Sequence, residues 1–124
     1  MNQNELKTVL VVEDDPPSKQ YLLLLLKKLN YSALAVNSGE EAMQLMGNKV
    51  VDIMLLDIAL GPGMSGIELG KNLRNDERHA ATPMIAVSAF TKEKVKDLSE
   101  AGFADYLSKP YTIVQLKELL DKHL

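Results

Sequence analysis

The sequence contains no cysteine. Disulfides, thiolate catalysis and zinc–thiolate sites are therefore excluded, and a reduced cytosolic setting is compatible with the chain. Histidine is scarce. His79 and His123 have no metal-ligand spacing to each other or to a group of acids, so both are expected on the solvated surface, and neither reads as a phosphodonor. A basic excess is also missing: the formal net charge of -3 argues against a nucleic-acid surface, which is normally built on a basic patch or stripe. Long hydrophobic runs are absent too. The most apolar segment, Tyr21 to Leu26, runs into Lys27-Lys28 after six residues, far short of a membrane span. The N-terminal Met-Asn-Gln-Asn-Glu has no basic-then-apolar signal pattern. The expectation is a soluble, cytoplasmic domain.

What is present is ordinary for a globular protein. At 124 residues the chain is expected to form one domain, 1–124, large enough to bury a core without metals or disulfides. Its composition is 46% hydrophobic and 25% charged, within the usual soluble range. No internal repeat, low-complexity tract or linker interrupts it.

The stretch Val50-Val-Asp-Ile-Met-Leu-Leu-Asp57 organises the rest. A run this short and apolar reads as a strand buried on both faces, as in a parallel sheet covered by helices. Thr8 to Val12, Tyr31 to Val36, Met84 to Ser88 and Asp105 to Lys109 are the other strands. Helices are expected between them. The first follows Pro16-Pro17 with Leu22, Leu25, Leu26 and Leu29 inward, while Leu23 and Leu24 either cover extra core or form a docking face. The second is capped by Ser38, with Glu41 completing a capping-box pattern, and carries Ala42, Leu45 and Met46 up to Gly47-Asn48. The third spans Gly66 to Arg74, with Ile67, Leu69 and Leu73 apolar, and a polar loop over 75–82 follows. Thr91 caps a fourth bearing Val95 and Leu98, ended by Ala101-Gly102. Thr112 caps the last, with Val114 or Ile113, Leu116, Leu119 and Leu120 inward. Strands alternating with helices at short spacing predict an α/β, doubly wound, five-stranded parallel sheet with five helices.

Ligands of such sheets bind outside the carboxyl ends of the strands. Those ends supply Glu13 and Asp14, Asp57, Ser88 and Lys109. Carboxylates this close repel: one pair at about 4 Å and an effective dielectric near 20 costs roughly 4 kcal/mol. The group is tolerable with a cation. Oxygen-only ligands favour a hard ion, Mg²⁺ first with Mn²⁺ as a possible substitute, and Lys109 adds a fixed positive charge. A carboxylate beside such a cation and a lysine suits phosphoryl transfer to the carboxylate itself. Each residue alone would be an ordinary cap or surface group. Their convergence from different strands is what points to chemistry.

At these residues the chain resembles the receiver domain of two-component response regulators. The resemblance runs over essentially the whole chain and rests on Val11-Val-Glu-Asp14, Leu55-Leu-Asp57 with Met64-Ser-Gly66, Val87-Ser-Ala89 and Lys109-Pro110. It implies a flavodoxin-like strand order 2-1-3-4-5 and a phosphorylation-dependent switch rather than an enzyme. Asp57 becomes the phospho-acceptor and Asp14 a direct Mg²⁺ ligand, with Glu13 acting through water and the Ala59 backbone carbonyl as a further ligand. Ser88 becomes the switch hydroxyl, Lys109 the phosphate-pairing lysine and Tyr106 the aromatic that turns inward. The Lys109-Pro110 bond is expected cis. A histidine kinase or histidine phosphotransfer protein would dock near Ser18 and Tyr21, and a downstream protein would read the face of the fourth helix, fifth strand and fifth helix. The final helix alone follows Pro110, so no output domain is expected, as in a stand-alone regulator or a receiver of a hybrid kinase.

Three departures from the family pattern stand out. The loop from Gly61 to Ser65 is one residue longer than the commonest form, and position 13 is Glu rather than Asp. Ala59 and Phe90 stand where members often carry polar groups that place a hydrolytic water, which predicts a long-lived phospho-Asp57. Rival readings fit less well. Gly61-x-Gly63-x-x-Gly66 matches a dinucleotide fingerprint formally, but it follows the third strand, facing the acids. A flavodoxin-like cofactor module needs a first loop that cradles phosphate, and Glu13-Asp-Asp15 repels one. An aspartate-nucleophile phosphatase typically needs a second acid at position 59, where Ala stands. A non-phosphorylated interaction module of the same fold tends to lose the acids or the lysine.

Overall fold

Five short strands build the sheet: β1 (Thr8–Val12), β2 (Ser32–Val36), β3 (Ile53–Asp57), β4 (Met84–Ser88) and β5 (Asp105–Ser108). The computed structural model describes residues 6–89 and 95–124, with the backbone alone described at Val95. The helices are α1 (Pro16–Lys28), α2 (Gly39–Leu45), α3 (Gly66–Arg74), α4 (Val95–Glu100) and α5 (Ile113–His123). All strand pairs are parallel, in the order β2-β1-β3-β4-β5. Thr91, expected to cap α4, Phe90 and the Val95 side chain lie outside the described residues. No helix among the described residues is long and apolar enough to cross a membrane.

Strand side chains alternate between faces, and this alternation splits the core in two. Odd-numbered positions (Val9, Val11, Ile53, Leu55, Ile85, Val87, Leu107) pack with Leu22, Leu25 and Leu26 of α1 and Leu116, Leu119 and Leu120 of α5. Even-numbered positions (Leu10, Val12, Met54, Leu56, Met84, Ala86) pack with Ala42 and Met46, Leu69 and Leu73, and Leu98 and Ala101. β3 and β4 are buried along their whole length, which is why they read as unbroken apolar runs. Of the two open positions on α1, Leu23 packs against the first layer, whereas Leu24 is half exposed. On α5 Ile113 packs inward and Val114 is exposed.

Most caps follow the sequence. Ser38 Oγ accepts from Glu41 N at 3.1 Å, but the return bond runs from Asn37 N to Glu41 Oε1 at 3.2 Å, one residue ahead of the cap. Closed capping boxes form instead at Ser65/Glu68 and Thr112/Gln115.

Both histidines contradict the surface expectation. His79 is fully buried, with Nε2 2.9 Å from the Met46 carbonyl oxygen. The cause is the path of the loop over 75–82, which passes the C-terminal end of α2, where carbonyl oxygens lack helical partners. His79 takes the one at Met46, and Arg78 Nη1 donates to the one at Gly47. Because a carbonyl only accepts, Nε2 carries the proton, and Nδ1 is left as a buried acceptor without a partner among the described residues. His79→Ala should lose the clamp and open a cavity, lowering stability by about 2–3 kcal/mol. Urea unfolding checks this, and a change under about 0.5 kcal/mol would contradict it. His123 is half-buried in the last turn of α5, with Nε2 2.9 Å from Asp105 Oδ2. A helix C-terminus favours a cationic side chain, and β5 begins beside it with a carboxylate.

Candidate functional site

The alternation that sorts the core also gathers the site. Glu13, Asp57 and Lys109 share the odd parity of Val11, Leu55 and Leu107, so three strand ends carry their polar groups to the same side of the sheet. Glu13 N extends the ladder by donating to Val36 O at 3.1 Å, which fixes the residue one step beyond β1. Lys109 Nζ reaches Glu13 Oε1 at 2.6 Å and lies 3.7 Å from Asp57 Oδ2. The lysine side chain is held by its backbone as well: Lys109 N donates to Ser88 O at 3.1 Å, and the Lys109-Pro110 bond is cis as expected.

Asp14 comes from the turn before α1 and accepts from Gly61 N at 2.8 Å through Oδ2. Asp57 accepts from Ala59 N at 2.9 Å through Oδ1, leaving Oδ2 toward Lys109. One ligand oxygen from each of Glu13, Asp14 and Asp57 lies within 4.8 Å of the others.

The charges do not balance. Three carboxylates meet one lysine, and Glu13 and Asp57 are only 3% and 4% exposed. Burial, then the hydrogen bond and charge of Glu13, push the Asp57 carboxyl up to about 7, with Ala59 N–H and Lys109 opposing. Burial works against the Lys109 charge as well, yet its bond to Glu13 and the neighbouring carboxylates outweigh it and its pKa is raised. An acid group with two buried members, the exposed Asp14, surplus negative charge and oxygen donors alone fits a hard divalent cation such as Mg²⁺. Neither histidine joins the group.

The remaining expected residues lie around this centre. Ser88 is buried and follows Val87, the register partner of Asp57. Tyr106 on β5 is 36% exposed. Ala59 meets Asp57 through its N–H. Ser18 and Tyr21 line a cleft of about 450 Å³ with Pro17, Ala89, Lys109, Pro110 and Tyr111, so the α1 surface and the site share the lysine.

Some contributing residues escaped the sequence reading. Asp15 caps α1, accepting from Ser18 N at 3.1 Å and Ser18 Oγ at 2.6 Å; an acid three residues before a serine at a helix start is a visible cap signal. Tyr111 accepts on its carbonyl from Tyr21 Oη at 2.7 Å, the two rings 5.5 Å apart. Gly66 approaches the backbone of Asp57 so closely that a Cβ there would stand 2.2 Å from the Asp57 carbonyl oxygen.

A doubly wound parallel sheet with acids after β1 and at the end of β3 and a lysine after β5 defines a flavodoxin-like fold with an acidic cleft. The chain belongs to the response regulator receiver domain family, whose model matches residues 9–121. It is 33% identical over 119 residues to the polar-differentiation response regulator DivK of Brucella ovis, covering 95% of this chain and 96% of that protein. Among solved structures it is similar to the chemotaxis response regulator CheY4 of Vibrio cholerae, with 25% identity, a TM-score of 0.91 and coverage of 97% and 100% of the two chains. The receiver domain of the sensor histidine kinase PA1611 of Pseudomonas aeruginosa, solved with a magnesium ion coordinated in its active site cleft, aligns with a TM-score of 0.88 and 27% identity over 96% of this chain and 98% of that one.

Proposed function

We propose that this receiver takes a phosphoryl group onto Asp57 from a partner's phosphohistidine, in the cytoplasm, and works as a switch rather than as an enzyme. The observation that carries the reading is the placement of Asp57: nearly buried at a strand end, one oxygen held by Ala59 N–H, the other facing Lys109. In the step, an Asp57 oxygen forms the new bond to phosphorus as the phosphorus–nitrogen bond breaks, and the imidazole leaves with its electron pair and takes up a proton. Lys109 stands 3.7 Å from the acceptor oxygen and pairs with the transferred group. Asp14, Asp57, the Ala59 carbonyl and, through water, Glu13 would hold Mg²⁺, which supplies positive charge at the phosphoryl oxygens. The magnesium ion in the Pseudomonas receiver supports that choice.

The partner, a histidine kinase or histidine phosphotransfer protein, docks over the cleft at Ser18 and Tyr21, which places its histidine beside Lys109. The new dianion draws the Ser88 hydroxyl to it, Tyr106 turns inward, and the α4-β5-α5 face presented to a downstream protein changes. A two-dimensional NMR titration with Mg²⁺ and fluoroberyllate, a phosphoryl mimic, tests this. Ser88, Tyr106 and Lys109 amides should shift together, and shifts confined to residues 57–61 would contradict the switch. With Ala at 59, the phosphorylated chain should lose its group over many minutes; a half-life of seconds would overturn the expected persistence.

A further inference from the structure

The loop over 58–65 joins β3 to α3 and carries two backbone N–H groups that orient the acids: Ala59 N donates to Asp57 Oδ1 and Gly61 N to Asp14 Oδ2. Its path therefore sets how Asp14 and Asp57 point. One end is fixed by Gly66, which packs on the Asp57 backbone. The middle has no strand or helix to hold it. Gly63 turns there with φ of 101°, and the next N–H, at Met64, precedes the N-cap and has no helical partner.

That N–H is taken by a residue from outside the site. Glu40 Oε2, in the first turn of α2, accepts from Met64 N at 2.8 Å, and this bond holds the Glu40 carboxyl below the usual range. The seat is close-fitting. A Cβ on Gly39 would stand 3.0 Å from Met64 Cβ and Sδ, and a Cβ on Gly63 would stand 2.7 Å from Glu40 Oε2. Asn72 Nδ2 closes the other side at 3.6 Å from Met64 Sδ. Any acid in the first turn of α2 would suit the helix dipole, and the neighbouring Glu41 supplies one. Glu40, and not Glu41, reaches across to the loop.

We propose that Glu40 is a positioning residue for the cation site, acting through Met64 N–H, the 61–64 turn and Gly61 N–H on the Asp14 carboxylate. The inference rests on the reading that the acids bind Mg²⁺. Glu40 touches no cation and carries out no chemistry. It keeps Asp14 turned so that Oδ2 is satisfied by Gly61 and the other oxygen is left for the ion. Partners behind the ligands of a metal site typically contribute roughly 10–100-fold in affinity. A single tether on an exposed loop belongs at the low end.

The test is a Mg²⁺ titration, followed by amide shifts, on the full chain and on Glu40→Ala and Glu40→Gln. Gln keeps an acceptor oxygen and drops the charge, whereas Ala drops both. Glu40→Ala should bind Mg²⁺ about tenfold more weakly and lose hydrogen-exchange protection at Met64, while Glu40→Gln stays within about twofold of the parent and keeps that protection. Glu40 is exposed, so both variants should fold, and thermal melts without divalent ions check that. Equal Mg²⁺ affinity in Glu40→Ala and the parent would overturn the proposal. So would a Gln variant as weak as the Ala variant, since distant charge rather than the hydrogen bond would then be acting. A parent chain that binds no Mg²⁺ would overturn the cation site itself, and the two failures are told apart by that control.

Discussion

Gly66→Ala should destabilise the fold by about 3 kcal/mol or more, the upper range for forcing atoms into packed space. The new Cβ would meet backbone on every near side: the Asp57 carbonyl oxygen at 2.2 Å, Ile58 Cα at 2.7 Å and the Asp57 carbonyl carbon at 2.9 Å. None of these is the end of a flexible side chain. Either α3 lifts or the end of β3 moves, and the end of β3 is Asp57. For a chain of this size the midpoint of thermal unfolding should fall by roughly 10 °C, and the response to Mg²⁺ should weaken with it. Gly61→Ala is the control. There a Cβ would meet only Asp14 Oδ2 at 3.1 Å, and the backbone is not left-handed, so the cost should stay under about 1 kcal/mol. A Gly66→Ala protein that melts within about 3 °C of the parent would contradict the close approach.

Asp57→Asn should make the metal-free protein more stable at about pH 8, the opposite of what most substitutions of buried residues do. In the folded chain the Asp57 carboxyl is raised from 3.8 to about 7, first by burial and then by Glu13. Between about pH 4 and pH 7 the folded state keeps a proton that the unfolded chain has released. Stability contributed by Asp57 is therefore present at low pH, falls as pH rises through this window, and stays lost above it. Asparagine has no charge to bury. The gain at about pH 8 without divalent ions should be of the order of 2–4 kcal/mol, shrinking toward pH 4. Mg²⁺ reverses the comparison by stabilising the folded parent alone. Urea unfolding across this pH range, with chelator and then with Mg²⁺, checks each part. A variant less stable than the parent at about pH 8 in chelator would contradict the electrostatic reading.

The site was largely legible because its signals are local. An acid pair closing one strand, a lone acid closing another and Lys-Pro closing a third each stand out from the runs before them, and parity brings residues 13, 57 and 109 to one side. The strand order came from resemblance rather than from pattern, since alternation alone does not say which strand lies at the edge. What escaped depends on contacts across the chain. His79 sits in a stretch as polar as any surface loop, and only the nearness of Met46, 33 residues earlier, makes it core. The three-residue spacing from Ser38 to Glu41 predicted a closed box, yet the carboxylate found Asn37 N–H instead. Glu40 drew no attention in the sequence, because its partner on the far loop, 24 residues away, leaves no trace in spacing.

The central claim is that Asp57 is a phosphoryl acceptor, and intact-protein mass tests it most directly. The parent and Asp57→Asn would each be incubated with acetyl phosphate, with Mg²⁺ and with chelator. One added phosphoryl group on the parent, dependent on Mg²⁺ and absent from the variant, is the predicted result. A folded, Mg²⁺-binding parent that gains no mass, or a variant that gains the same mass as the parent, would contradict it.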